Sequence, residues 1–259
     1  LASGVRLNTA GELFVQHIRT QTAELARVQS QIADLSGIRR GHVRIASGAD
    51  TMRYFLPETV ARYRGEHPAV TFDLVRQSGD SAEQAIRTFE ADLALIFEPI
   101  KSADFQTMAT ARQQLYCMMS ANHPLAKKPI IRLRDCVGQP AILPRADAGL
   151  RQLLNVGLIR RSVELGTVIE SNSQEFLQNY LTHEMVISFQ IPIAMPSDLI
   201  TASAPNSEIV ARPVDLADVP AGILHIGQLK GRVLPVAAAK FLDSIITELG
   251  ARYGDDIDQ

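Results

Sequence analysis

The chain has 259 residues, of which 46% are hydrophobic and 21% charged, and a formal net charge of -2. Domains run to roughly 100–200 residues, so two lobes with an appendage fit this length, and the composition is that of a globular chain with a buried core. The charge argues against a chain that grips nucleic acid strongly by itself, because such modules are normally basic.

The two cysteines, Cys117 and Cys136, have no cysteine–histidine cluster around them. They form neither a disulfide framework nor a metal motif and read as reduced thiols of a cytoplasmic protein. No run reaches the ~18 apolar residues of a membrane-spanning helix. Residues 1–6 carry no signal-peptide pattern and begin without methionine, so the sequence reads as a piece of a longer chain.

The first predicted element is a long helix over residues 9–37. Phe14, Ile18, Gln21, Leu25, Val28, Ile32 and Leu35 recur at alternating intervals of four and three, a heptad seam with one polar member, Gln21. Arg19, Glu24, Arg27, Gln29 and Asp34 occupy the other faces. So narrow a stripe suits a two-helix seam, in which a lone polar residue fixes register. The alternative is a helix docked on its own domain. Gly37 ends the helix and Arg39-Arg40-Gly41 reads as a hinge.

From His42 the period changes. Residues 42–46 alternate as a strand. Residues 50–66 are expected as one helix, with Phe55, Leu56, Val60 and Tyr63 on one face. Residues 70–75 alternate again. Residues 81–90 form a helix with Ala82, Ala85, Ile86 and Phe89 inward, and 92–97 is an apolar run that suits a strand buried on both faces. After Pro99 and a loop the order recurs. Strands are expected at 115–119, 140–143, 163–170, 185–189 and 222–228, with helices at 149–157, 173–182 and 234–249. This alternation argues for an α/β fold with parallel sheets, in two lobes with a cleft between them.

Catalytic signatures are missing: there is no G-x-S-x-G elbow, phosphate-loop lysine motif or G-x-G-x-x-G fingerprint. His183-Glu184 opens like a zinc protease motif, but Ile187 stands where the second ligand is needed. His17, His42, His67, His123, His183 and His225 lie in unrelated contexts.

What recurs is a polar turn between strand and helix. Ser47-Gly48-Ala49-Asp50-Thr51 follows the first strand and Gln77-Ser78-Gly79-Asp80-Ser81 the second. Arg145-Ala-Asp147 and Glu170-Ser-Asn172-Ser173 precede helices in the second half. Asp80 with Glu83, and Asn172 with Glu175, have capping-box spacing. Ligands of open parallel sheets bind outside the carboxyl ends of the strands, where helix N-termini offer free amide donors. The hydroxyls of Ser47, Ser78 and Ser173 with the Arg145 guanidinium suit a small anionic or polar ligand. The plainer reading of each is a cap for its own helix.

Val5-Arg-Leu-Asn-Thr-Ala-Gly-Glu-Leu-Phe14 resembles the V-x-L-T-x-A-G-x-x-F run that ends the wing and starts the linker helix of LysR-type transcriptional regulators, with Asn8 at the usual threonine. Val43-Arg-Ile-Ala46 with Leu56-Pro57, Tyr63 to Pro68, Asp92-Leu-Ala-Leu95 and Asn122-His-Pro-Leu125 follow in the family's order. The resemblance implies the end of a DNA-binding wing at 1–8, a linker and dimerisation helix at 9–37, effector lobe I at 41–111 with 222–259, and effector lobe II at 112–221. The lobes would be those of a type 2 periplasmic binding protein.

It further implies a small-molecule effector in the cleft, an organic acid by our reading, and a homodimer or homotetramer. DNA would be contacted only through a missing winged helix-turn-helix. Neither enzymatic activity nor a cofactor or metal is implied. The effector contacts it suggests are Ser47, Ala49, Ser78, Gly79, Arg145, Asn172 and Gln190. Three other readings stay open: a solute-binding protein of a transporter, which would need an export signal; an enzyme on the same scaffold; and a regulator that needs no effector.

Overall fold

A computed structural model describes residues 7–35, 41–200, 207–253 and 257–258. Most of the wing remnant, the expected helix end at Gly37 and the Arg39–Arg40 part of the hinge lie outside them.

Two sheets divide the chain. The first contains β1 (Gly41–Ser47), β2 (Val70–Arg76), β3 (Leu93–Phe97), β4 (Phe105–Gln113), β10 (Gly222–Leu229) and β11 (Ile257–Asp258), in the order β11-β4-β10-β3-β1-β2. The second contains β5 (Tyr116–Ser120), β6 (Pro140–Pro144), β7 (Gly166–Ser171), β8 (Ile187–Gln190) and β9 (Ile209–Pro213), in the order β7-β6-β8-β5-β9. The chain passes from first to second through β4 and β5 and returns through β9 and β10.

The expectation of parallel sheets needs correction. β1 is parallel to β2 and β3, and β6 to β7 and β8. β10 is antiparallel to β3 and β4, and β5 is antiparallel to β8 and β9. A strand that enters its sheet from the cleft end runs against strands that finish there, so each crossover makes its sheet mixed. The loop expected after Pro99 contains β4, and β9 has no counterpart among the expected strands. The inward positions of β4 are Phe105, Ala109, Ala111 and Gln113, which are mostly small or polar and give no β-branched signal.

The helix expected at 50–66 is two helices, α2 (Ala49–Arg53) and α3 (Phe55–Glu66), broken at Tyr54. Pro57 explains the break: in one continuous helix its ring would clash with the Arg53 carbonyl, whereas in a new first turn its missing N–H costs nothing. α4 (Asp80–Arg87) stops before Phe89, which adopts φ 59°. α5 (Gly149–Arg161), α6 (Gln174–Tyr180), the short α7 (Ser197–Ile200) and α8 (Val236–Tyr253) follow. α8 closes the first lobe, stacking Phe241 edge-on against Tyr63 and Phe72 with ring centroids 5.1 and 4.8 Å away.

Buried ion clusters pin each lobe. Asp92 accepts Arg44 Nη2 and Arg232 Nη2, both at 2.7 Å, and the Arg44 amide at 3.0 Å. In the second lobe Asp218 accepts Arg132 Nε and Nη2 at 2.9 Å, Arg161 Nε at 2.8 Å and the Leu133 amide. The hydrogen bonds from Arg132 hold the Asp218 carboxyl below the usual range.

α1 (Thr9–Leu35) docks on the first lobe by one face: Ala23 is buried, Gln16 Nε2 donates to the Arg87 carbonyl at 3.2 Å, and Arg19 pairs with Glu90 at 3.0 Å. On the other side Phe14, Ile18, Leu25, Val28 and Ile32 are 65, 46, 58, 39 and 58% exposed, and Gln21 is exposed among them. The Leu35 side chain lies outside what is described. Docking and an outward apolar stripe therefore coexist on one helix. No helix among the described residues is long and apolar enough to cross a membrane.

Candidate functional site

The carboxyl ends of β1, β2 and β3 face those of β6 and β7 across a cavity of about 620 Å³. The first lobe lines it with the turn after β1 (Gly48, Ala49, Asp50), the turn after β2 (Gln77, Ser78, Gly79) and the segment after β3 (Glu98, Pro99, Lys101). The second contributes Arg145, Asp147, Ala148 and Gly149 before α5, and Asn172 and Gln174 at the start of α6.

Of the residues singled out from the sequence, Ala49, Ser78, Gly79, Arg145 and Asn172 line this cavity. Ser47 and Gln190 do not. Ser47 is fully buried, with its hydroxyl against Thr51 Oγ1 and 3.4 Å from the Leu95 carbonyl. Gln190 lies one layer below the floor: its Nε2 donates to Gln174 Oε1 and its Oε1 accepts the Ile191 amide at 2.9 Å.

Neither expected capping box forms. Gly79 is the N-cap of α4, with φ 51°, a conformation favourable only to glycine. Asp80 instead meets Lys101 Nζ at 2.9 Å, and buried Glu83 accepts the Lys101 amide at 2.8 Å. In α6 the cap is Ser173, which accepts the Phe176 amide at 3.1 Å. Asn172 is thereby left exposed at the cavity wall.

The N-caps of α4 and α5 at the cleft, Gly79 and Ala148, give no side-chain cap. First-turn amides have no partner within their own helix, and the helix dipole makes this end attractive to an anion. At α5 the exposed Arg145 stands three residues before the cap and is ion-paired with no carboxylate among the described residues. Gly149, at the first position of α5, is packed directly on the Phe97–Glu98 backbone of the opposite lobe.

Sequence reading missed Glu98 and Gln174 as cleft residues, and it placed Asp50 in a cleft turn without naming it as an effector contact. Asp50 Oδ1 accepts from Gln174 Nε2 at 2.9 Å, a bond that joins the two lobes. Burial pushes the Asp50 carboxyl up to about 6 and also raises that of Glu98, whose Oε1 accepts the Ile223 amide at 3.1 Å. Asp50 lies in a turn already noted as polar, but its partner is far away along the chain.

A stability consequence follows. An unfolded aspartate titrates near about 3.9, so between that value and about 6 the folded chain binds more protons than the unfolded one. The Asp50 contribution is complete below the unfolded value and is lost as pH rises through the folded one. Urea midpoints of the wild type are expected to fall relative to Asp50→Asn over this interval. Parallel pH profiles of the two proteins would contradict it.

A family model described as LysR substrate binding domain matches residues 36–250. The HTH-type transcriptional activator CmpR of Synechocystis is 24% identical over 67% of this chain, a stretch that spans 57% of CmpR's own length. The solved effector-binding domain of QuiR in complex with shikimate superposes with a TM-score of 0.68 at 17% identity, covering 83% of this chain and 99% of that one. The CcmR regulatory domain of Synechocystis in complex with 2-PG gives 0.69 at 20% identity, covering 83% and 99%. With the family model matching most of its length, this chain belongs to the LysR substrate-binding-domain family.

Proposed function

We propose that the cleft binds a small organic anion and that this chain is the sensing and oligomerising part of a LysR-type transcription regulator, acting in the cytoplasm and not as an enzyme. The observation that carries this reading is the uncapped N-terminus of α5, with Arg145 beside it, opening into a cavity shared by both lobes. An anion seated there touches both lobes and stabilises one relative placement of them, which is what a sensor must do. The QuiR and CcmR domains, solved with shikimate and 2-PG, support a small molecule in this fold.

In this reading residues 1–8 end the DNA-binding wing and 9–37 are the linker helix. Residues 41–111 with 222–259 form one lobe and 112–221 the other. Contact with DNA belongs to a winged helix-turn-helix outside this chain.

A panel of carboxylic acids screened by thermal unfolding tests the cleft. A bound acid at ~100 times its Kd adds about 2.7 kcal/mol of stability. A charged hydrogen bond is worth about 1.5–3 kcal/mol, so Arg145→Ala should weaken any acid found by about tenfold or more in calorimetry. Unchanged affinity would remove Arg145 from the site.

The exposed stripe of α1 is the proposed seam to a second copy. Replacing both Ile18 and Leu25 by glutamate would place charge on that stripe, and sedimentation velocity should then show a smaller assembly than the wild type. An unaltered sedimentation coefficient would assign the stripe to something else.

A further inference from the structure

We infer that the ligand of this cleft is amphoteric: an acid whose anionic end meets the N-terminus of α5 and whose cationic nitrogen is received by Asp50. This deepens the proposed function and rests on its reading of the cleft as an anion site.

Asp50 lines the cavity with a half-buried carboxyl. Among the described residues its side chain makes one hydrogen bond, from Gln174 Nε2 to Oδ1, and no salt bridge. An ionised carboxylate can accept about four hydrogen bonds, so most of its capacity is unused. The Gln174 amide is oriented from behind, because Gln190 donates to its carbonyl oxygen and is itself held by the Ile191 amide. The relay leaves Gln174 presenting a donor to Asp50 and aims a carboxylate that no cation among the described residues pairs with. Such a group, fixed from a second layer, is preorganised to receive a donor.

The charges around it do not supply that donor. On its own helix, the Arg53 guanidinium sits over the Tyr54 ring at 5.2 Å. Arg76 ends β2, and from α4 Asp80 is taken up by Lys101. Glu98 follows β3, while Arg145 and Asp147 follow β6. From α6, Glu175 accepts the Ser173 hydroxyl at 3.1 Å. The cavity wall thus carries both signs, with Asp50, Glu98 and Asp147 opposing a ligand that is negative throughout. Burial lifts the Asp50 carboxyl to about 6 through desolvation. At neutral pH the group is ionised and poorly solvated, a state that a ligand ammonium relieves.

The test uses two series of probes with constant skeletons: 3-phenylpropionate, 3-phenyllactate and phenylalanine, and hexanoate, 2-hydroxyhexanoate and norleucine. Affinities are measured by calorimetry on the full chain, wild type and Asp50→Asn. The asparagine Oδ1 still accepts from Gln174, so the interlobe bond survives while the charge is gone. In at least one series the amino acid is expected to bind the wild type tenfold or more tighter than the unsubstituted acid, a difference of about 1.4 kcal/mol. Asp50→Asn should reduce that preference to about twofold or less, and lowering the pH below about 6 should erode it in the wild type only.

Unsubstituted acids that bind as tightly as the amino acids would overturn the inference and leave the anion site standing. So would a preference that survives in Asp50→Asn. Failure of every probe to bind the wild type would overturn the anion reading itself, and this inference with it.

Discussion

Asp92→Ala is expected to destabilise the first lobe by about 3–5 kcal/mol, the usual cost of removing one partner from a buried ion pair. The Asp92 side chain is 1% exposed and faces two guanidinium groups, one of which, Arg232, is itself only 8% exposed. Burial already disfavours the charged form of Arg232, and the attraction of Asp92 opposes that loss. Without the carboxylate two cations remain beside the start of β3, and Arg232 has little water to replace it. The Arg44 amide also loses its acceptor.

The site ties together segments distant in sequence: Arg44 lies on β1, Asp92 just before β3 and Arg232 just after β10. It also accounts for Phe89, whose left-handed backbone accompanies a carbonyl that accepts Arg44 Nη1 at 2.6 Å and a ring 5.0 Å from the Arg232 guanidinium carbon. A chain of this size loses about 2–4 °C of Tm per kcal/mol, so Tm should fall by roughly 10 °C. A loss below about 1 kcal/mol in urea titrations would show that water reaches the arginines and that the cluster is weaker than its burial implies.

Gly149→Ala is expected to affect both stability and the cleft. A Cβ at this position would lie 2.6 Å from the Glu98 carbonyl oxygen and 3.1 Å from Phe97 Cδ1. The Glu98 backbone cannot easily retreat: its amide donates to the Ile223 carbonyl at 3.0 Å, and its carboxylate accepts the Ile223 amide. The start of α5 must move instead, carrying away the uncapped amides beside Arg145. Overpacking of this kind costs about 1–3 kcal/mol. The larger effect should be on binding, because a displacement near 1 Å at a positioned group can cost about 100-fold. Calorimetry with an acid that binds the wild type checks this. Lost stability with intact affinity would mean that the loop after β3 yields and that the helix terminus is not the anchor.

Much of the fold was legible along the chain because it rests on local periodicity. The stripe of α1, the buried run of β3 and the long helix α8 each repeat one pattern over enough residues to be read without partners. The crossings between lobes are another matter. β4 and β9 are strands because neighbours pair with them, and the inward alanines and glutamine of β4 carry no propensity strong enough to announce that. The antiparallel placement of β10 follows from where the chain re-enters the sheet, which no window of sequence contains.

The cleft divides in the same way. Polar strand-to-helix turns placed Ala49, Ser78, Gly79, Arg145 and Asn172 at strand ends, and there they line the cavity. Ser47 and Gln190 share that local chemistry yet point into packed layers, because the last residue of a strand can face either side of its sheet. The pairing of Asp50 with Gln174 exists only when the lobes meet. By itself the sequence determined the elements, the family pattern and the polar character of the turns, since these depend on neighbours along the chain. Tertiary structure alone decided which turns share a cavity, which glycine lets the lobes touch, and which carboxylate is held partly out of water, since each depends on atoms brought together from distant parts of the chain.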